Sequence, residues 1–156
     1  MRKLTLVATI VGVLATGMSM AGPAQAHNIG NEGCTPGYWK NHTSNWEEYR
    51  TRKLVSEVFD FSNAPVEVAA YSSTTLIGAL RLKGGPGLDG ATQILLRAAT
   101  ASVLNAAHEG LGYPLRRGGE DGIKAQVNAA LASGDRQAML DLATYLDGLN
   151  NLGCPL

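Results

Sequence analysis

The sequence predicts an all-α fold, a small helical bundle with a loop-rich, disulfide-stapled N-terminal segment. Three observations carry this. From Ala91 to Ala107, apolar residues recur at three- and four-residue steps, through Ile94, Leu95, Ala98, Ala101, Leu104 and Ala107. A second apolar stripe runs through Met139, Leu142, Ala143, Leu146 and Leu149. The two cysteines of the chain, Cys34 and Cys154, stand close to the two ends of the region these helices occupy.

The elements follow in order. Arg2 and Lys3 precede an apolar run from Leu4 to Leu14, and Ala24-Gln25-Ala26 offers the small residues of a cleavage site, so residues 1–26 read as a signal peptide. The run is short for a membrane span, and Gly17, Gly22 and Pro23 interrupt its continuation. Residues 27–156 are expected to form a single secreted helical domain. Roughly 130 residues suffice for one core that buries about two thirds of the unfolded surface. Export also sets the redox chemistry: Cys34 and Cys154 are expected to pair where disulfides persist. In the chain-entropy model, a loop of that length stabilises by roughly 4 to 5 kcal/mol.

His27 to Thr43 is rich in Asn, Gly and Pro and shows no periodicity, which predicts a loop anchored by Cys34 and by burial of Tyr38, Trp39 and Trp46. Ser44 and Glu47 have capping-box spacing, which predicts a short helix over Asn45–Arg52. Lys53 to Phe61 fits a short helix and an extended stretch equally. Thr74 or Thr75 caps a helix expected to reach Leu82, and Lys83-Gly84-Gly85-Pro86-Gly87 breaks it. The Ala91–Ala107 helix carries Ala99, Val103 and Ala106 on its other faces, so it belongs at the centre of the domain. Ile123 to Leu131 is a further helix closed by Ser133-Gly134, and Asp135 is an N-cap for the last one. About five helices result.

The string Cys34-Thr35-Pro36-Gly37-Tyr38-Trp39-Lys40-Asn41-His42 resembles a motif of uncharacterised exported bacterial proteins, as does the closing stretch from Val127 through Asn150-Asn151 to Cys154-Pro155. The resemblance implies an extracellular or cell-envelope domain. It supplies no activity, cofactor or catalytic residue.

Charge narrows the partners. The chain has thirteen basic and thirteen acidic residues. Cleavage after Ala26 removes Arg2 and Lys3 and no acid, leaving a slightly acidic product without the Lys/Arg run that binding to nucleic acid needs. No membrane span is expected after cleavage.

Several constellations could carry chemistry. Tyr38, Trp39, Asn41 and Trp46 are the candidate ligand-binding residues, as an aromatic platform for a sugar; the alternative is that the rings form the local core beside the disulfide. Cleavage after Ala26 would expose His27, whose amine and imidazole, with His42 or His108, make a three-nitrogen set suited to copper, with Tyr38 or Tyr113 on the axis. A zinc site from His42, His108 and Glu109 or Asp121 lacks a tight motif spacing. The glycines from Gly84 to Gly90 stand where a phosphate cradle would, without the lysine and hydroxyl of a P-loop, so a turn with Asp89 as cap is the simpler reading.

No catalytic residue is assigned. No nucleophile elbow is present, and Glu47, Glu48, Glu120 and Asp121 are ordinary in number for a solvated surface. The expectation is therefore a secreted or cell-surface, non-enzymatic binding or structural module without a cofactor, whose partner is a protein or glycan of the envelope. A copper protein and a small secreted hydrolase are the alternatives.

Overall fold

A computed structural model describes residues 30–156; the expected signal peptide, residues 1–26, and His27 lie outside the described residues. The described chain is all-α. Six helices are formed, α1 (Pro36–Asn41), α2 (Val66–Ala69), α3 (Leu76–Ala79), α4 (Gly87–Asn105), α5 (Ile123–Ser133) and α6 (Arg136–Asn150), with 3-10 turns at Thr43–Asn45 and Val55–Glu57. None of these helices is long and apolar enough to cross a membrane.

The central position of α4 follows from its composition. Leu95, Leu96, Ala99, Ala101 and Val103 are fully buried, and α1, α2, α3, α5 and α6 all pack on this one helix. Alanine on several faces lets the neighbours approach closely, and Leu131, Met139 and Leu146 fill the space beside it. The start of α4 is earlier than the periodicity predicts, at Gly87 rather than Ala91. Gly90 is responsible: its Cα lies against Gly85, so close that a Cβ would collide with the Gly85 carbonyl. The glycines thus serve packing of the turn on the helix. Asp89 does not cap it; its carboxylate accepts from the Tyr71 hydroxyl at 2.5 Å and from Gln93 at 2.9 Å.

Helix ends that rest on local chemistry fall where the residues predict. Gly134 closes α5 in the left-handed conformation (φ 61°), and Asp135 caps α6 by accepting from the Ala138 N–H at 2.8 Å. Thr75 caps α3 by accepting from the Gly78 N–H at 3.1 Å, although that helix ends at Ala79 and not at Leu82.

Two expectations fail in the N-terminal third. The loop expected up to Thr43 contains α1, which Thr35 caps by accepting from the Tyr38 N–H at 3.1 Å, with Pro36 preset in its first turn. The helix expected over Asn45–Arg52 is absent. Trp46 is extended so that its indole N–H reaches the Trp39 carbonyl at 2.9 Å, and Glu48 at φ 59° forms a γ-turn in which the Tyr49 N–H donates to the Glu47 carbonyl. Glu47 does not return to Ser44; it accepts from the Glu109 N–H, 62 residues away. The open segment Lys53–Phe61 holds the turn Val55–Glu57, in which Glu57 accepts from the Leu54 N–H at 2.7 Å.

The ends meet as the cysteines predict. Cys34 and Cys154 form a disulfide with a Cα–Cα distance of 4.5 Å across 120 residues, and Gly33 and Gly153 pair beside it in an antiparallel bridge. The bridge requires glycine at position 33, where a Cβ would run into the Leu149 carbonyl.

Candidate functional site

The aromatic residues of the Cys34–His42 string gather into a local core. Trp39 is fully buried, which removes it from any sugar-stacking platform. The ring of Tyr38 meets Trp39 edge-on at 5.3 Å and stacks on His42 at 4.2 Å, and its hydroxyl accepts from Asn45 at 2.6 Å. Trp46 is half-buried, bonded to the Trp39 backbone, and Asn41 is exposed at the end of α1. Of the four candidate ligand-binding residues, then, the structure unites three through packing and leaves Asn41 at the surface.

Beneath this core lies a buried polar network that sequence reasoning missed. Asn105 accepts from the Cys34 N–H (2.9 Å) and the Trp39 indole (2.8 Å), and donates to the Cys34 carbonyl (2.9 Å) and to Asn150 Oδ1 (2.9 Å). Asn150 in turn donates to the Ala98 carbonyl, and its Oδ1 lies 3.1 Å from the Ser102 hydroxyl and 2.9 Å from that of Tyr113. Asn105, Asn150 and Ser102 are all fully buried. Burial pushes the Tyr113 phenol well above its usual pKa against the lowering effect of Ser102, with Tyr145 and Asp147 adding to the rise. Ser102 and Asn105, three residues apart among the apolar residues of the last two turns of α4, were the available signal. Tyr113, considered above as an axial metal ligand, belongs to this structural network.

The histidines have separate settings. His42 Nδ1 donates to the Tyr38 carbonyl at 2.9 Å. His108 Nδ1 accepts from the Gly110 N–H at 3.1 Å, and Nε2 faces Glu47 at 3.5 Å. Both nitrogens of His108 are therefore engaged. Among the described residues no three His, Cys, Asp or Glu side chains group as a metal-holding set, so His42, His108, Glu109 and Asp121 do not assemble the zinc site considered above. Glu48 is held by both oxygens on Arg117, whose guanidinium also lies 5.9 Å from the Tyr49 ring centre. Glu47 and Glu48 are thus committed to tying the γ-turn to the 108–117 loop.

What the string presents outward is an open groove of about 490 Å³. Thr35, Pro36 and Gly37 form one wall. Lys40 of α1, Arg81 and Lys83 after α3, and Arg97 of α4 supply four cations, while Asp147 and Asn151 lie at the α6 side. Arg97 donates to the Leu82 carbonyl at 3.2 Å, and none of the four cations has an ion-pair partner among the described residues. These cations come from three separate stretches, so no Lys/Arg run announces them. No family model, curated protein or solved structure matches the chain.

Proposed function

We propose that this protein is an exported, non-enzymatic binding module of the cell envelope or extracellular space, and that the groove between α1 and the α3–α4 turn is its ligand site. The observation that carries the reading is the composition of that groove: the outward residues of the Cys34–His42 string, Thr35 to Gly37 and Lys40, share it with three further cations and two polar side chains of the α6 side. The long-range disulfide and the Asn105 bonds tie Cys34, where that wall begins, to the C-terminal end and to α4, which supports a preformed surface. The leader-like residues 1–26 and the resemblance of the string to exported bacterial proteins support the compartment.

The test is binding of the exported protein, recovered with its own leader removed, to isolated cell envelopes. Gly37 lines the groove, is exposed, and a Cβ there meets only ordinary contact with Thr35, so Gly37→Trp is expected to obstruct the groove without removing a charge. Wild type is expected to sediment with envelopes, and Gly37→Trp to bind at least about tenfold more weakly while melting as cooperatively. Equal binding by the two proteins removes the groove from consideration.

A further inference from the structure

Resting on that reading of the groove, we infer that its ligand is an anionic polyol polymer, a glycan or polyol chain bearing repeated carboxylate or phosphodiester groups. The charge distribution is the first reason. The domain after residue 26 has more acidic than basic side chains, yet this groove gathers Lys40, Arg81, Lys83 and Arg97 against one acid, Asp147. Unpaired cations converging on one concavity repel one another and are relieved by a bound anion. Two of them are arginines, whose planar forks match carboxylate and phosphate oxygens.

The second reason is the polar pair that the α6 side adds to the groove. The Asp147 carboxylate accepts hydrogen bonds, and Asn151, whose amide nitrogen already gives one hydrogen to the Asp147 backbone carbonyl at 2.7 Å, keeps its oxygen and a second N–H, a pair suited to hydroxyl groups and unsuited to a bare string of phosphates. The walls hold no aromatic ring, so neither a neutral sugar nor a nucleobase has a face to stack on. Charge must therefore supply the affinity and the hydroxyl partners the selectivity. At about 490 Å³ and open to solvent, the groove takes a few repeat units of such a polymer.

The experiment measures binding of the exported protein to polygalacturonate, to polyglycerol phosphate, to dextran and to single-stranded DNA, at low and high salt. Three proteins are compared: wild type, Gly37→Trp, and the triple variant Lys40→Gln/Arg81→Gln/Lys83→Gln, which keeps Arg97 because it holds Leu82. Thermal melts verify that all three fold. The expected result is binding to one or both anionic polyols, weakened at least about tenfold by salt, by the triple variant and by Gly37→Trp; which polymer binds tells carboxylate from phosphate. Dextran binding, or envelope binding, that Gly37→Trp abolishes and the triple variant leaves intact overturns the anionic ligand and keeps the groove. Envelope binding untouched by either variant overturns both. Tighter capture of DNA than of either polyol, or no binding to any polymer, overturns the polyol assignment.

Discussion

The side-chain amide of Asn105 grips the backbone of Cys34 from both sides, accepting its N–H and donating to its carbonyl, each at 2.9 Å and across 71 residues of sequence. A single asparagine thus does for the N-terminal segment what a strand partner does in a sheet. It fixes Cys34 independently of the disulfide and adds the Trp39 indole to the same oxygen.

Replacing Asn105 with Ala strands a buried N–H and carbonyl of Cys34 and the indole N–H of Trp39. We expect a loss of about 3–5 kcal/mol, measured by urea unfolding with the disulfide intact. Hydrogen exchange separates clamp from staple. The Cys34 amide should lose its protection in Asn105→Ala while the cysteines remain oxidised, and continued protection would mean that the disulfide alone positions the segment.

Tyr113 gives the network an alkaline limit. Its folded-state pKa is raised, chiefly by burial, above the unfolded value near 10. Below about pH 10 the phenol is protonated in both states and its contribution is complete; above it the unfolded chain loses the proton first, so stability falls as pH rises toward the folded-state value. Tyr71 is raised in the same direction, by burial and by Asp89, and contributes to the same decline. Tyr113→Phe is expected to cost about 1–2 kcal/mol at pH 7 and to flatten the fall between pH 9 and about 11. Thermal melts across that range provide the measurement; parallel curves for the two proteins would rule out Tyr113 as a source.

Glycine positions divide sharply. Gly90→Ala drives a Cβ into the Gly85 carbonyl and should cost more than about 2 kcal/mol, since both partners are backbone. Gly148 is exposed within α6, and a methyl group added there meets nothing within 4 Å, so Gly148→Ala should gain about 0.5–1 kcal/mol. Denaturant midpoints of the two variants should move in opposite directions.

Thr100 is fully buried in α4 and its hydroxyl has no hydrogen-bond partner among the described residues. Thr100→Val keeps the shape and removes the unpaired group. Its melting temperature should rise, by an amount equivalent to about 1 kcal/mol. A lower value would show that the hydroxyl is satisfied in solution.

The groove variants also bear on how the chain is read. Thirteen acids against thirteen bases, without a Lys/Arg run, point away from nucleic-acid binding and announce no basic site. Lys40, the pair Arg81 and Lys83, and Arg97 stand in three separate stretches of sequence and meet only because α1, the α3–α4 turn and α4 pack together. Linear charge counting has no access to that kind of convergence.

By itself the sequence determined the helical class, the core helix α4, the extents of α5 and α6, the caps at Gly134 and Asp135, and the pairing of Cys34 with Cys154. Each depends on spacing within a turn or two of helix, on a capping atom three residues away, or on a count of two cysteines. Only the tertiary structure decided that Pro36–Asn41 is helical in place of Asn45–Arg52, that Asn105, Asn150, Ser102 and Tyr113 form one network, and that four cations share a groove. The reason is range. Glu47 accepts from an exposed amide 62 residues on rather than closing a capping box, and Asn105 reaches back 71 because a buried polar group without a partner costs more than a local propensity gains.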